Sequence, residues 1–168
     1  MRPLLPPDTH HLSAAIGWIE LGNLKEASQE LDCVSAGASR HRDVLQVRWM
    51  ICAQESNWEE ALNVANALLD VDPGDPAPWL HRAYALRRVQ TGGLQAAWDA
   101  LRPASEKFPT ETTILYNLAC YACQLGRLEE ARTWLQRALG IGDRQKVKRM
   151  ALNDSDLEPL WLEIRKLR

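Results

Sequence analysis

Cys120 and Cys123, in the string "CYAC", have the spacing of a redox dithiol or of half a zinc site. A redox pair works best at a helix N-terminus, where the backbone dipole lowers a thiol pKa. Here the pair follows "YNLA" in mid-helix, so that help is missing. Zinc would need two further ligands, but Cys33, Cys52 and the histidines lie elsewhere in the chain and form no second paired motif. The two cysteines therefore read as small apolar residues, with a thiol-dependent redox enzyme using Cys120 and Cys123 as a weak alternative.

His10 and His11 are adjacent, so on a helix they point about 100° apart and share no metal face. His81, in "WLHRAYALRR", is a lone helical histidine. The "TGG" at 91–93 lacks the rest of any phosphate-binding pattern. "RQKVKR", Arg144–Arg149, is the densest basic run, yet residues 143–168 carry a net charge of only +2 and the whole chain -2. That is too little to track phosphates or to be drawn to an anionic membrane. The expectation is a chain with no catalytic residues, no metal, no cofactor, no nucleic-acid partner and no membrane partner.

The composition, 46% hydrophobic and 25% charged, suits a packed core and not a disordered chain. "MRPLLPPDTHHL" lacks the apolar run of a secretory signal, every hydrophobic segment is interrupted by polar residues, and four cysteines without framework spacing suit reduced thiols. The expected location is the cytoplasm.

What positions these residues is a repeat. "LGNLKEASQEL" (Leu21–Leu31), "ESNWEEALNVA" (Glu55–Ala65), "TGGLQAAWDAL" (Thr91–Leu101) and "LGRLEEARTWL" (Leu125–Leu135) each hold a turn, a large apolar residue and an alanine. The alanines are Ala27, Ala61, Ala97 and Ala131, a near-constant spacing with a small insertion between Ala61 and Ala97. In the last string Leu128, Ala131, Leu135, Ala138 and Leu139 share one helical face, and Gly126 separates that helix from the one before. The unit is a helical hairpin with a small residue where its helices approach closely.

A helical hairpin recurring every ~34 residues resembles the tetratricopeptide repeat family. Pro73 and Pro109 fall on the family's terminal proline, and Trp79 on its tryptophan; His11, Leu45 and Leu115 replace the latter elsewhere. The family's small residue is kept as Ala15, Ala83 and Ala119 but is Trp49 in repeat two, which predicts irregular packing there. The resemblance implies an all-α, right-handed α-solenoid of about four hairpins: a leader at 1–7, an array at 8–143 (repeats about 8–41, 42–75, 76–111 and 112–143), and capping helices at 144–168. Helices are expected near 9–21, 24–36, 42–55, 58–71, 77–90, 94–107, 111–125 and 128–140, with the insertion of repeat three in the loop around "VQTGG".

In this family the first helices line a concave groove that takes an extended peptide or a partner helix, which implies a non-catalytic adaptor. Carried over residue by residue, the groove holds Leu12 and Ile16, then Gln46 and Met50, and most distinctively His81, Tyr84, Arg87, Arg88, Tyr116, Asn117, Cys120 and Gln124. Arginine with tyrosine suits an acidic and apolar ligand. Leu12 and Ile16 stand where one subgroup carries the Lys and Asn of a carboxylate clamp, so chaperone tails are not expected ligands. The second expectation is a self-associating scaffold, a homodimer through the N-terminal repeat.

Overall fold

Asn23 and Asn57 each follow a residue that can turn the chain back and precede a leucine or tryptophan that starts an amphipathic run. In the computed structural model, which describes residues 3–167, those runs are helices; Met1, Arg2 and Arg168 of the expected leader and cap lie outside the described residues. Among the described residues every regular element is helical. In order they are α1 Asp8–Glu20, α2 Leu24–Asp32, α3 Arg42–Gln54, α4 Trp58–Val71, α5 Pro76–Leu86, α6 Leu94–Leu101, α7 Ala104–Lys107, α8 Thr112–Gln124, α9 Leu128–Ile141, α10 Arg144–Leu152, a 3-10 turn Ser155–Leu160, and α11 Trp161–Lys166. No helix among them is long and apolar enough to cross a membrane.

The chain divides into two compact units, the first ending at Ala85 and the second starting at Leu86. The division falls inside the third hairpin. In the first unit α1 packs on α2 and α3 on α4, with Ala27 and Ala61 fully buried between partners. In the second, Ala131 lies equally buried where α9 packs on α8. The alanines are small because their backbones must come close.

The turns explain why the hairpins recur. Gly22, Ser56 and Gly126 all adopt positive φ, at 75°, 58° and 76°. One residue later the amide of Asn23, Asn57 or Arg127 donates back across the helix end, to Trp18, Cys52 or Ala122 at 2.8, 2.9 and 2.9 Å. This left-handed ending satisfies carbonyls that the helix leaves orphaned. Asn23 and Asn57 then cap the next helix by accepting from the amides of Glu26 and Glu60. In the third hairpin Val89–Gly93 make a longer turn, with the Gly93 amide donating to Leu86 O at 2.8 Å.

Several helices stop earlier than their periodicity predicts. α2 ends at Asp32 because the Asp8 carboxylate accepts from both the amide and the hydroxyl of Ser35, at 2.8 and 2.7 Å, and holds that segment off the helical path. The helix expected to run to 107 breaks into α6 and α7 at Pro103, which has no N–H to give. Between α10 and α11 the expected capping segment carries a 3-10 turn containing Pro159. There the Trp161 indole donates to Ala151 O at 2.9 Å, and Leu157 and Leu160 are buried.

Candidate interaction surface

In the first unit, Ile16 on α1, Met50 on α3 and Tyr84 on α5 occupy equivalent positions of successive repeats, and they are 40%, 36% and 40% exposed. Each large apolar side chain keeps more than a third of its surface in solvent. Next to them is an aromatic cluster. The Tyr84 ring meets Trp49 and Trp58 edge-on, at centroid distances of 6.3 and 5.6 Å, and His81 stacks on Trp49 at 3.7 Å. Such pairs fix ring orientation as well as burying area.

His81 lies mostly buried, and the loss of water around its ring pushes its pKa down to about 4. The neutral ring accepts a hydrogen bond from the Gln46 side chain, 3.0 Å from Nε2. Trp49, the residue that breaks the small-residue pattern in the sequence, is therefore accommodated by stacking. Its indole N–H is buried with no partner among the described residues. Trp58 is half-buried and also contacts this cluster, a role the groove positions alone do not reveal.

The second unit holds the remaining groove residues in a different situation. The Arg87 guanidinium makes a two-point ion pair with Asp156, one of its contacts at 2.8 Å, and lies 5.6 Å over the Tyr121 ring. Tyr116 donates its hydroxyl to Asp154 at 2.9 Å, the Cys120 thiol points to the same carboxylate at 3.5 Å, and Gln124 donates to the main-chain oxygen of Asp156 at 3.0 Å. Tyr116 and Cys120 are only 7% and 3% exposed, so the 3-10 turn stands over the wall that the sequence expects to be open. Asn117 bonds along its own helix to Thr113 O, and Arg88 is half-buried. The structure thus gathers His81 and Tyr84 with Gln46 and Trp49 in one unit, and Arg87, Tyr116, Cys120 and Gln124 beneath the C-terminal turn in the other.

Burial pushes the Cys120 thiol well up, the Asp154 and Asp156 carboxylates push the same way, and burial also raises Cys123. A thiol held protonated is a poor nucleophile, so the redox alternative has no electrostatic support. Cys120 Sγ and oxygens of Asp154 and Asp156 lie within 4.8 Å of one another, the one such grouping among the described residues. Their donor capacity is already spent: Asp156 is held by Arg87, and Asp154 accepts from Tyr116 and from the Asp156 amide. The group is a closed hydrogen-bond cluster, with a guanidinium where a cation would compete.

Residues 85–145 match the family model described as the tetratricopeptide repeat. No curated protein matches the chain. Among solved structures, MamA residues 41 to the end from Desulfovibrio magneticus RS-1 is 16% identical with a TM-score of 0.71, covering 82% of this chain and 76% of that one. A second MamA crystal structure is 14% identical with a TM-score of 0.75, covering 95% and 88%. TTC0263, a thermophilic TPR protein of Thermus thermophilus, is 17% identical with a TM-score of 0.68, covering 94% and 82%. These likenesses establish the all-helical repeat fold.

Proposed function

We propose that this chain of tetratricopeptide hairpins is a non-catalytic interaction module that binds a peptide or helix of another protein along the first helices of its hairpins. The observation that carries the reading is the register of Ile16, Met50 and Tyr84: equivalent positions on α1, α3 and α5, each large, apolar and exposed. A lone exposed apolar residue needs no explanation, but three at one repeat position make a binding stripe the economical reading. His81 and Gln46 beside the stripe supply neutral polar contacts, because His81 stays uncharged at neutral pH. Glu20 and Gln54 flank it on α1 and α3, so an apolar segment with few acidic groups suits this part of the surface. The expected occupant of the stripe is therefore more apolar than acidic.

The test is capture and identification of a partner with the wild-type chain, followed by titration of that purified partner against Met50→Glu and Tyr84→Ser. Loss of binding with unchanged helicity supports the stripe; undiminished affinity removes it. Light scattering of the chain alone at micromolar concentration covers the self-association reading. A dimer dispersed by Met50→Glu would assign the same stripe to a second copy.

A further inference from the structure

The C-terminal turn does more than cover apolar surface. A solenoid's last hairpin needs an apolar lid with a polar exterior, and Leu157, Leu160 and Ile164, all buried, provide one. Yet the same turn also brings two carboxylates inward, where each gives up part of its hydration. Donors meet both carboxylates, the Arg87 guanidinium at Asp156 and the Tyr116 hydroxyl and Cys120 thiol at Asp154, while the Gln124 amide donates to the main-chain oxygen of Asp156. Arg87 and Asp156 are 27% and 21% exposed, and the pair is bidentate, the geometry by which arginine selects a carboxylate.

We propose that Arg87, Tyr116, Cys120 and Gln124 form a receptor for acidic Asp-x-Asp-Leu segments of partner proteins, and that the chain's own Asp154–Leu160 turn is its resident ligand, which such a partner displaces. This extends the reading of the chain as an interaction module but uses residues separate from the Ile16, Met50 and Tyr84 stripe, so either can fail alone. A tethered ligand is present at an effective concentration on the order of millimolar. A free peptide with a Kd of about 10 μM would thus be outcompeted about a hundredfold by the intact turn. Weakening the turn should uncover the site.

The experiment uses a fluorescein-labelled peptide of sequence NDSDLEPLW, matching Asn153–Trp161, titrated by anisotropy into the full-length chain. The double variant D154N/D156N is expected to bind it at least about tenfold more tightly than the wild type does. Adding Arg87→Gln to that variant, or replacing both aspartates of the peptide by asparagine, is expected to abolish the gain. Retained helicity with no binding, or equal binding of the neutral peptide, overturns the proposal. Should the double variant lose helicity, the wild-type chain decides. Millimolar peptide must shift the Trp161 indole N–H resonance, which the turn holds against Ala151 O and Asp154 O, and an unmoved resonance overturns the proposal. Partner binding that still depends on Met50 would then leave the stripe reading standing.

Discussion

Replacing Asp156 by asparagine isolates the ion pair that fastens the C-terminal turn. The side chain keeps its shape, but Arg87 loses a carboxylate that it meets through both of its terminal nitrogens. A hydrogen bond to a charged group contributes about 1.5–3 kcal/mol, and removing one partner also strands the other. Both side chains remain roughly a quarter exposed, so water screens part of this, and we expect a loss of about 2 kcal/mol. For a chain of this size that lowers the thermal midpoint by about 4–8 °C. The assay is urea and thermal unfolding by circular dichroism of wild type, Asp156→Asn, Arg87→Met and the double variant. The two residues should couple by about 1 kcal/mol or more, and strict additivity within about 0.3 kcal/mol would refute the claim that this pair holds the turn.

Three further outcomes follow from the same geometry. Because the His81 pKa is held down to about 4 against an ordinary 6.5, the unfolded chain takes up a proton first as pH falls. Stability is therefore full above about pH 6.5 and declines by roughly 2–3 kcal/mol toward pH 4, a decline that His81→Phe should remove in pH-dependent urea titrations. Ser56 sits at φ 58° where the equivalent turns use glycine, so Ser56→Gly should stabilise by about 0.5–1 kcal/mol, read from the same denaturation curves; a loss would contradict the strained-turn account. Thiol labelling of the folded chain should be fast at Cys33, which is exposed, and slow at buried Cys52, Cys120 and Cys123 until denaturant is added.

The repeat was legible because its signals are local. An alanine that lets two helices touch, and a glycine or asparagine that ends one and caps the next, leave marks at fixed spacing whatever the rest of the chain does. Helix ends that depend on distant partners left no such mark: α2 stops at Asp32 through a bond between Asp8 and Ser35, which are far apart in sequence. The same limit applies to the candidate site. Tyr84 and Met50 stand at groove positions that the family resemblance implies, and the departure at Trp49 marks the aromatic cluster. That Tyr116 and Cys120 face a turn was hidden, since it depends on Asp154 and Asp156, which come much later in the chain and in a segment without the repeat pattern. Residues 144–168 read only as capping helices, which gave no sign of that contact.

Hydrogen exchange on the full chain with and without a purified partner bears most directly on the claim that the first helices of the hairpins are the binding face. The account predicts slowed exchange concentrated on α1, α3 and α5, lost with Met50→Glu. Protection confined to α2, α4 or α9, with those three helices unchanged, would contradict it.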